Sequence, residues 1–272
     1  MGQPHPAEDS ARLSDHASVK IKVNAESVRS VFIEMFFNDH KMACGTGFFY
    51  FCDHTIFLVT ARHCLTGRHW ETNKLMENCR TEPDTVRIHV RRADRLEAVE
   101  WIDRPLYDEE LCPMWLEHPE FGRAVDVVAL PVVLTPDFLV AAWECPDVTD
   151  LVVTQELSII GYPLGLKGDG DLAIWTRGTI ATEPTLSYRN LPMFLIDSRT
   201  RKGQSGSPVA LFHRPGSLIT ASDGQPRYAT GPVSSLVGVY TGRISPDSDL
   251  GFVWNTDLLE TICRRGVHNR LD

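Results

Sequence analysis

The sequence predicts an all-β fold, and three observations carry that reading. Short apolar runs rich in Val, Ile, Phe and Thr recur between turn residues from Val28 onward. Examples are Val31–Phe37, Gly47–Phe51, Ile56–Thr60, Val86–Val90, Val127–Val133, Leu157–Ile160, Met193–Ile196, Pro208–Phe212 and Leu236–Tyr240. Such runs are strand-sized, and β-branched or aromatic residues suit a pleated, buried surface. The second observation is that no helical segments alternate with the runs, which points to a sandwich or barrel rather than a parallel α/β sheet. The third is a break near Pro136–Asp150 that divides the runs into two groups of similar size.

Taken in order, residues 1–27 carry Pro, Ser, Asp and His with little periodicity and read as a polar, mobile tail. Residues 28–140 and 141–255 hold the two strand groups. Between strands, Thr66–Asp84 and Asp103–Val125 are the longest irregular stretches; with Trp70, Pro105, Pro113, Trp115 and Pro119 they read as surface loops or short helical insertions. Residues 256–272 form a C-terminal helix and tail, because a polar N-cap at Asn255-Thr256 precedes apolar residues at helical spacing.

Composition excludes several classes. The 272 residues are 43% hydrophobic and 23% charged, as in an ordinary globular protein. A formal net charge of −9 argues against a nucleic-acid partner, since a duplex-binding face must neutralise phosphates with clustered Lys and Arg. The short basic runs at Arg91-Arg92, Arg199–Lys202 and Arg264-Arg265 read as solvated surface. No apolar stretch reaches the roughly 20 residues of a membrane helix, and Met1–His16 lacks the apolar core of a secretory signal. Seven cysteines without a paired framework, and no Asn-x-Ser/Thr acceptor, predict free thiols in a reducing cytoplasm. There is no Cys-x₂-Cys pair, and His63, Cys64 and His69 lack ligand spacing, so neither a metal nor another cofactor is expected.

Three segments carry the chemistry. In Phe57–Cys64 an apolar strand runs into a polar turn, with His63 just past its end. In Val125–Pro131 a carboxylate, Asp126, enters a buried-looking strand, where it would be costly unless hydrogen-bonded. In Gly203-Gln204-Ser205-Gly206-Ser207-Pro208-Val209, glycines flank a serine and allow a tight loop close to a substrate. A Ser hydroxyl is a poor nucleophile until an imidazole takes its proton, and the imidazole needs a carboxylate on its other nitrogen. The developing oxyanion needs N–H donors, and a Gly-x-Ser turn can aim those of Gly203 and Ser205 at one point. Each segment alone is a weak signal. Together, in the order His, Asp, Ser, they match the order of the chymotrypsin triad and not that of α/β-hydrolases.

These segments resemble the three signatures of trypsin-like peptidases. Cys44–Phe48 resembles the strand opening their first barrel, Ile160–Gly165 and Arg177–Ile180 the opening strands of the second barrel in bacterial HtrA-like proteases, and Gly238–Thr241 with Gly251–Val253 their pocket-wall strands. Asp197 matches a recurring Asp of that group. The resemblance runs from about Cys44 to Ile262, leaving no room for a PDZ module. It implies two packed six-stranded antiparallel β-barrels of the chymotrypsin type. The first would carry His63 and Asp126, the second Ser205. It further implies a serine endopeptidase acting on protein or peptide substrates, with one dedicated partner protein conceivable from length alone.

The sequence also departs from the family. Trypsin-type zymogens hold an Asp before the nucleophile, where this chain has Gln204, so activation by a buried new N-terminus is not expected. Cys44 and Cys64 fall where many relatives have a disulfide, but free thiols are preferred here. By resemblance the primary pocket is formed by Arg199 and Thr200 at its base and by Tyr240, Thr241, Gly242 and Arg243 along its wall. It has no Asp for Lys or Arg side chains. The segment Thr200–Val209 looks like that of glutamyl endopeptidases, although their pocket His falls at Tyr240. Arg199, Lys202 and Arg243 could pair with an acidic side chain, or point to solvent around a small apolar pocket. Two other functions fit the same residues: a catalytically inactive protease-fold binding module, and an esterase using the same triad.

Overall fold

The computed structural model describes residues 23–76, 79–144, 151–220 and 225–271. The first group of elements is α1 (Glu26–Arg29), β1 (Ser30–Phe37), β2 (His40–Cys52), β3 (Thr55–Ala61), α2 (Arg62–Thr66), β4 (Thr85–Arg91), β5 (Val99–Pro105) and β6 (Val127–Val132). The second is β7 (Glu156–Gly161), β8 (Ile174–Ile180), β9 (Met193–Ser198), β10 (Ser207–His213), β11 (Leu218–Thr220), β12 (Pro226–Tyr228), β13 (Val233–Arg243), β14 (Leu250–Asn255) and α3 (Asp257–Arg265). Every strand pair is antiparallel.

The second group closes into a barrel, in the order β10-β13-β14-β9-β8-β7, with β11-β12 as a separate ribbon. The first group is six-stranded as expected but is an open sheet, β5-β4-β1-β2-β3-β6, rather than a closed barrel. Its edges are occupied in another way. Leu116 exchanges two backbone hydrogen bonds with Ala129 on the free side of β6. Arg104 of β5 donates to the Val133 carbonyl just past β6. A side chain thus spans the gap that a ladder would have closed.

The packing explains why the strands read as unbroken apolar runs. Two interior cores fill the sheets and a third lies between them. In β3, Leu58 joins the first interior while Phe57 and Val59 join the shared core; in β6, Val128 and Leu130 divide from Val127 and Ala129 in the same way. In β9, Phe194 and Ile196 face the second interior while Met193 and Leu195 face the shared core. With both faces covered, alternation along the strand disappears. β5 shows the converse. Its exposed Glu100, Trp101 and Asp103 belong to an edge, where charge protects against further pairing, so it carries no apolar run and falls partly in the stretch read as irregular.

The ends of the chain also differ from expectation in detail. Residues 1–22 of the expected tail lie outside the described residues, but Glu26 and Ser27 are buried. Ser234 donates to Glu26 and Trp175 to Ser27, which fastens α1 to the second barrel. α3 buries Leu258, Leu259 and Ile262 in the shared core, although Thr256 makes no side-chain cap. Cys44, Cys52, Cys64, Cys79, Cys112 and Cys263 are free thiols; Cys145 lies outside the described residues. No described helix is long and apolar enough to cross a membrane.

Candidate active site

Asp126 and His63 meet because β3 and β6 are paired. Ala61 lies opposite Val127, so the residue before β6 faces the residues after β3. There the chain turns into the single turn of α2, which Gly67 ends in a left-handed conformation (φ 65°) with its N–H on the His63 carbonyl. Three hydrogen bonds lock the junction. The Arg62 N–H donates to the Asp126 carbonyl at 3.1 Å and the His63 N–H to Asp126 Oδ1 at 2.9 Å, while Asp126 Oδ2 pairs with His63 Nδ1 at 2.7 Å. Asp126 is 1% exposed. Burial works to push the imidazole pKa down, but the Asp126 carboxylate and the Cys64 thiol outweigh it, and His63 is raised well above the usual imidazole value. A raised folded-state value means that protonated His63 stabilises the fold fully below about pH 6.5, and that this contribution is lost as pH rises through the raised value.

Ser205 sits in a loop held by both halves of the molecule. Thr46, fully buried in β2, donates its hydroxyl to the Gly203 carbonyl at 2.7 Å and its N–H to the Ser205 carbonyl at 3.0 Å. Gln204, also fully buried, accepts from the Arg201 N–H and donates to Thr176 of β8, both at 2.8 Å. An uncharged amide therefore orders the loop internally, where a zymogen's Asp would need a new N-terminus. Peptide planarity then aims the donors. The Lys202 carbonyl accepts from Leu164 and the Gln204 carbonyl from Ser207, so the N–H groups of Gly203 and Ser205 point the opposite way. Among the described residues neither has an acceptor. The Ser205 hydroxyl donates to the Thr241 carbonyl at 3.0 Å rather than to His63.

Gly203 (φ 91°) and Gly206 (φ 86°) are positions where the loop needs glycine. A Cβ on Gly206 would lie 2.1 Å from the Thr46 carbonyl oxygen and 2.3 Å from Thr60 Oγ1. We expect Gly206→Ala to cost about 3 kcal/mol or more, since backbone strain and a rigid clash add. Thermal unfolding should then show Tm lowered by roughly 6 °C or more; an unchanged Tm would refute the packing described here.

His63, Asp126 and Ser205 open onto one cleft of about 340 Å³. Of the expected pocket residues, Tyr240, Thr241, Gly242 and Arg243 line it. Thr200 is fully buried behind it, its hydroxyl sharing a hydrogen bond with Tyr240. Burial pushes the Tyr240 phenol up to about 12, so Tyr240 stays neutral and the charge on this wall is that of Arg243. Arg199 is exposed and does not line the cleft; its neighbours Arg201 and Lys202 do. The stretch read only as an irregular loop also contributes His69, Trp70, Glu71 and Met76. Trp70 packs edge-on against Phe252 and Trp254, each at 5.7 Å between ring centroids, and Glu71 pairs with Arg189 at 2.6 Å. A Trp beside charged residues in a loop was the one available signal. The anchoring by Thr46 had none, because it arises from two segments 157 residues apart.

Comparison with known proteins is consistent with this geometry. The solved structures resembling this chain include the thermostable serine protease AL20 from an extremophilic microorganism, at 12% identity over 88% of this chain and 97% of that one, with a TM-score of 0.51. They also include the serine endoprotease from Yersinia pestis, at 13% identity over 91% of this chain and 70% of that one, with a TM-score of 0.50. At such identities the likeness concerns the fold. No curated protein matches the sequence. The family model of the trypsin-like peptidase domain matches residues 45–219, a span that covers more than half of the chain and includes His63, Asp126 and Ser205. The chain therefore belongs to the trypsin-like peptidase family and is a serine endopeptidase.

Proposed function

We propose that His63, Asp126 and Ser205 act as a catalytic triad that hydrolyses peptide bonds through an acyl-enzyme. The observation that carries this reading is the grip of Asp126 on both the backbone and the ring of His63, in the cleft that also holds Ser205. The reaction requires the Ser205 hydroxyl to leave the Thr241 carbonyl and turn to His63 Nε2 by rotation about the Ser205 Cα–Cβ bond. Such a rotation is fast compared with turnover. His63 accepts the proton as Ser205 Oγ bonds to the scissile carbonyl carbon, and Asp126 stabilises the imidazolium. The Gly203 and Ser205 N–H groups receive the oxyanion. His63 then protonates the leaving amine, and water releases the acid by the same steps in reverse order.

A fluorophosphonate probe followed by peptide mass spectrometry tests this. The expected adduct lies on Ser205. An unlabelled protein would favour the inactive binding module, and label on another serine would move the site.

The cleft supports a preference for acidic substrates. Arg201, Lys202 and Arg243 line it, and none has a carboxylate partner among the described residues. The two carboxylates in the lining are already engaged, Asp126 with His63 and Glu71 with Arg189. In a chain of net charge −9 this is a local reversal of sign that draws anionic groups. Arg201 also donates to the Thr200 carbonyl, which leaves Lys202 and Arg243 as the freer pair. Peptides matched except for Glu or Ala before the scissile bond should differ in kcat/KM by about tenfold or more, the gap shrinking with added salt. Arg243→Ala should narrow it. Equal rates on the two peptides would favour the small apolar pocket.

A further inference from the structure

The shared core comes to the surface inside the catalytic cleft. Phe252 of β14 belongs to that core and is only 5% exposed, yet it lines the cleft. Trp70 and Ile244, both half-buried, pack against the same core and line the cleft beside it. Met76, also half-buried, completes an apolar wall. The cleft therefore has two kinds of lining, this wall and the cationic group of Arg201, Lys202 and Arg243.

Trp70 is brought to this wall from the first half of the chain by a loop closed on itself. The His69 N–H donates to the Lys74 carbonyl at 2.9 Å, the Asn73 N–H to the His69 carbonyl at 2.8 Å, and the Met76 N–H to the Gly67 carbonyl at 2.8 Å. Gly67 is in turn held by the His63 carbonyl, so the loop leaves His63 in a defined direction. At its tip the Trp70 ring stands nearly perpendicular to those of Phe252 and Trp254, and Glu71 pairs with Arg189 of the second group. An exposed ion pair adds little, so the aromatic contacts hold the tip in place. The wall is thus preformed. Half-buried apolar surface of this kind remains in contact with water until an apolar ligand covers it, and a thioether at its edge adapts to the ligand's shape.

We propose that Trp70 sets a second specificity of this peptidase. The wall of Trp70, Met76, Ile244 and Phe252 receives a large apolar side chain of the same peptide whose acidic residue meets the cationic group. The occupant is substrate because the wall is continuous with the cleft that holds His63 and Ser205, and the inference rests on reading that cleft as the substrate site. Since the cationic group takes the residue before the scissile bond, the apolar side chain lies at a different position of the peptide.

The test is peptide binding to Ser205→Ala, which needs no bond cleavage and so is independent of the triad assignment. The peptides are alanine hexamers with one glutamate, through which a single phenylalanine is moved position by position, with Kd measured by calorimetry. One register should bind at least about tenfold tighter than the phenylalanine-free peptide, the scale of covering a large apolar side chain. Adding Trp70→Ala should remove that gain and leave affinity for the phenylalanine-free peptide within about twofold. Trp70→Phe, a milder truncation that keeps an aromatic ring against Phe252, should lose about threefold of it, and thermal melts confirm that each variant is folded. Equal affinity in every register overturns the proposal, and so does a gain that both Trp70 variants leave intact. An equal loss for all peptides in both variants also overturns it, since that is the mark of a structural role alone. If the gain depends on Trp70 while the wild type cleaves no peptide and takes no fluorophosphonate, the apolar subsite stands and the triad reading alone falls.

Discussion

Ser205→Ala is expected to lower peptide hydrolysis by about a million-fold, the scale seen when a serine nucleophile is removed from a triad. The reason is that no other group can form the acyl-enzyme, whereas binding and oxyanion contacts survive and sustain roughly 10³- to 10⁴-fold over water. The fold should hardly respond. The Ser205 hydroxyl makes one hydrogen bond, to the Thr241 carbonyl, and the loop is fixed by Thr46 and Gln204 instead. Single-turnover assays beside thermal melts separate the two effects. The double variant Ser205→Ala/His63→Ala should be scarcely slower than Ser205→Ala, because triad members act as a unit. Additive losses in the double variant would refute a shared role.

Asp126→Asn should lower kcat by about 10⁴-fold, the cost of the same change in a chymotrypsin-type triad. Here the geometry gives a specific cause. One Asp126 oxygen accepts the His63 backbone N–H and the other faces His63 Nδ1. An amide has only one acceptor oxygen. If the oxygen stays on the backbone N–H, the amide nitrogen donates to Nδ1 and the ring proton is driven to Nε2, where a base is needed. The pH profile distinguishes this from a merely structural loss. His63 must be neutral to accept a proton, so activity falls as pH drops through its raised pKa. Burial, which lowers that pKa, would act unopposed by the carboxylate in Asp126→Asn, so the acid limb should move to lower pH. A variant that lost activity with its acid limb unmoved would show that Asp126 only supports the fold.

The two effects should also part company in acid. Protonation of His63 stabilises the native state while it abolishes the base, so the wild type should be inactive at a pH where its His63–Asp126 pair contributes most to stability. Activity and Tm followed over the same pH range would show this opposition.

The legible parts of this protein were those encoded locally. Strands such as β3 and β6 declare themselves because both of their faces are buried, which forces a continuous run of apolar residues. β5 does not, because an edge strand with one neighbour is free to carry Glu100 and Asp103. α3 was readable from its own apolar spacing, whereas the hairpin β11-β12 has too little buried surface to leave a pattern.

By itself the sequence determined the all-β class, the positions of His63, Asp126 and Ser205 each beside a strand, and the requirement for glycine on both sides of the serine turn. Only the tertiary structure decided that the first sheet stays open, its edges met instead by Leu116 from the loop before β6 and by Arg104 of β5, which reaches the Val133 carbonyl. Only the tertiary structure decided which basic residues face the cleft, because exposure at Arg199, Arg201 and Lys202 depends on how the loop folds and not on their identity. Likewise the support of Ser205 by Thr46 and the meeting of Trp70 with Phe252 and Trp254 are properties of segments far apart in the chain. Contacts of that kind form only when long loops close, and no local pattern of side chains records them.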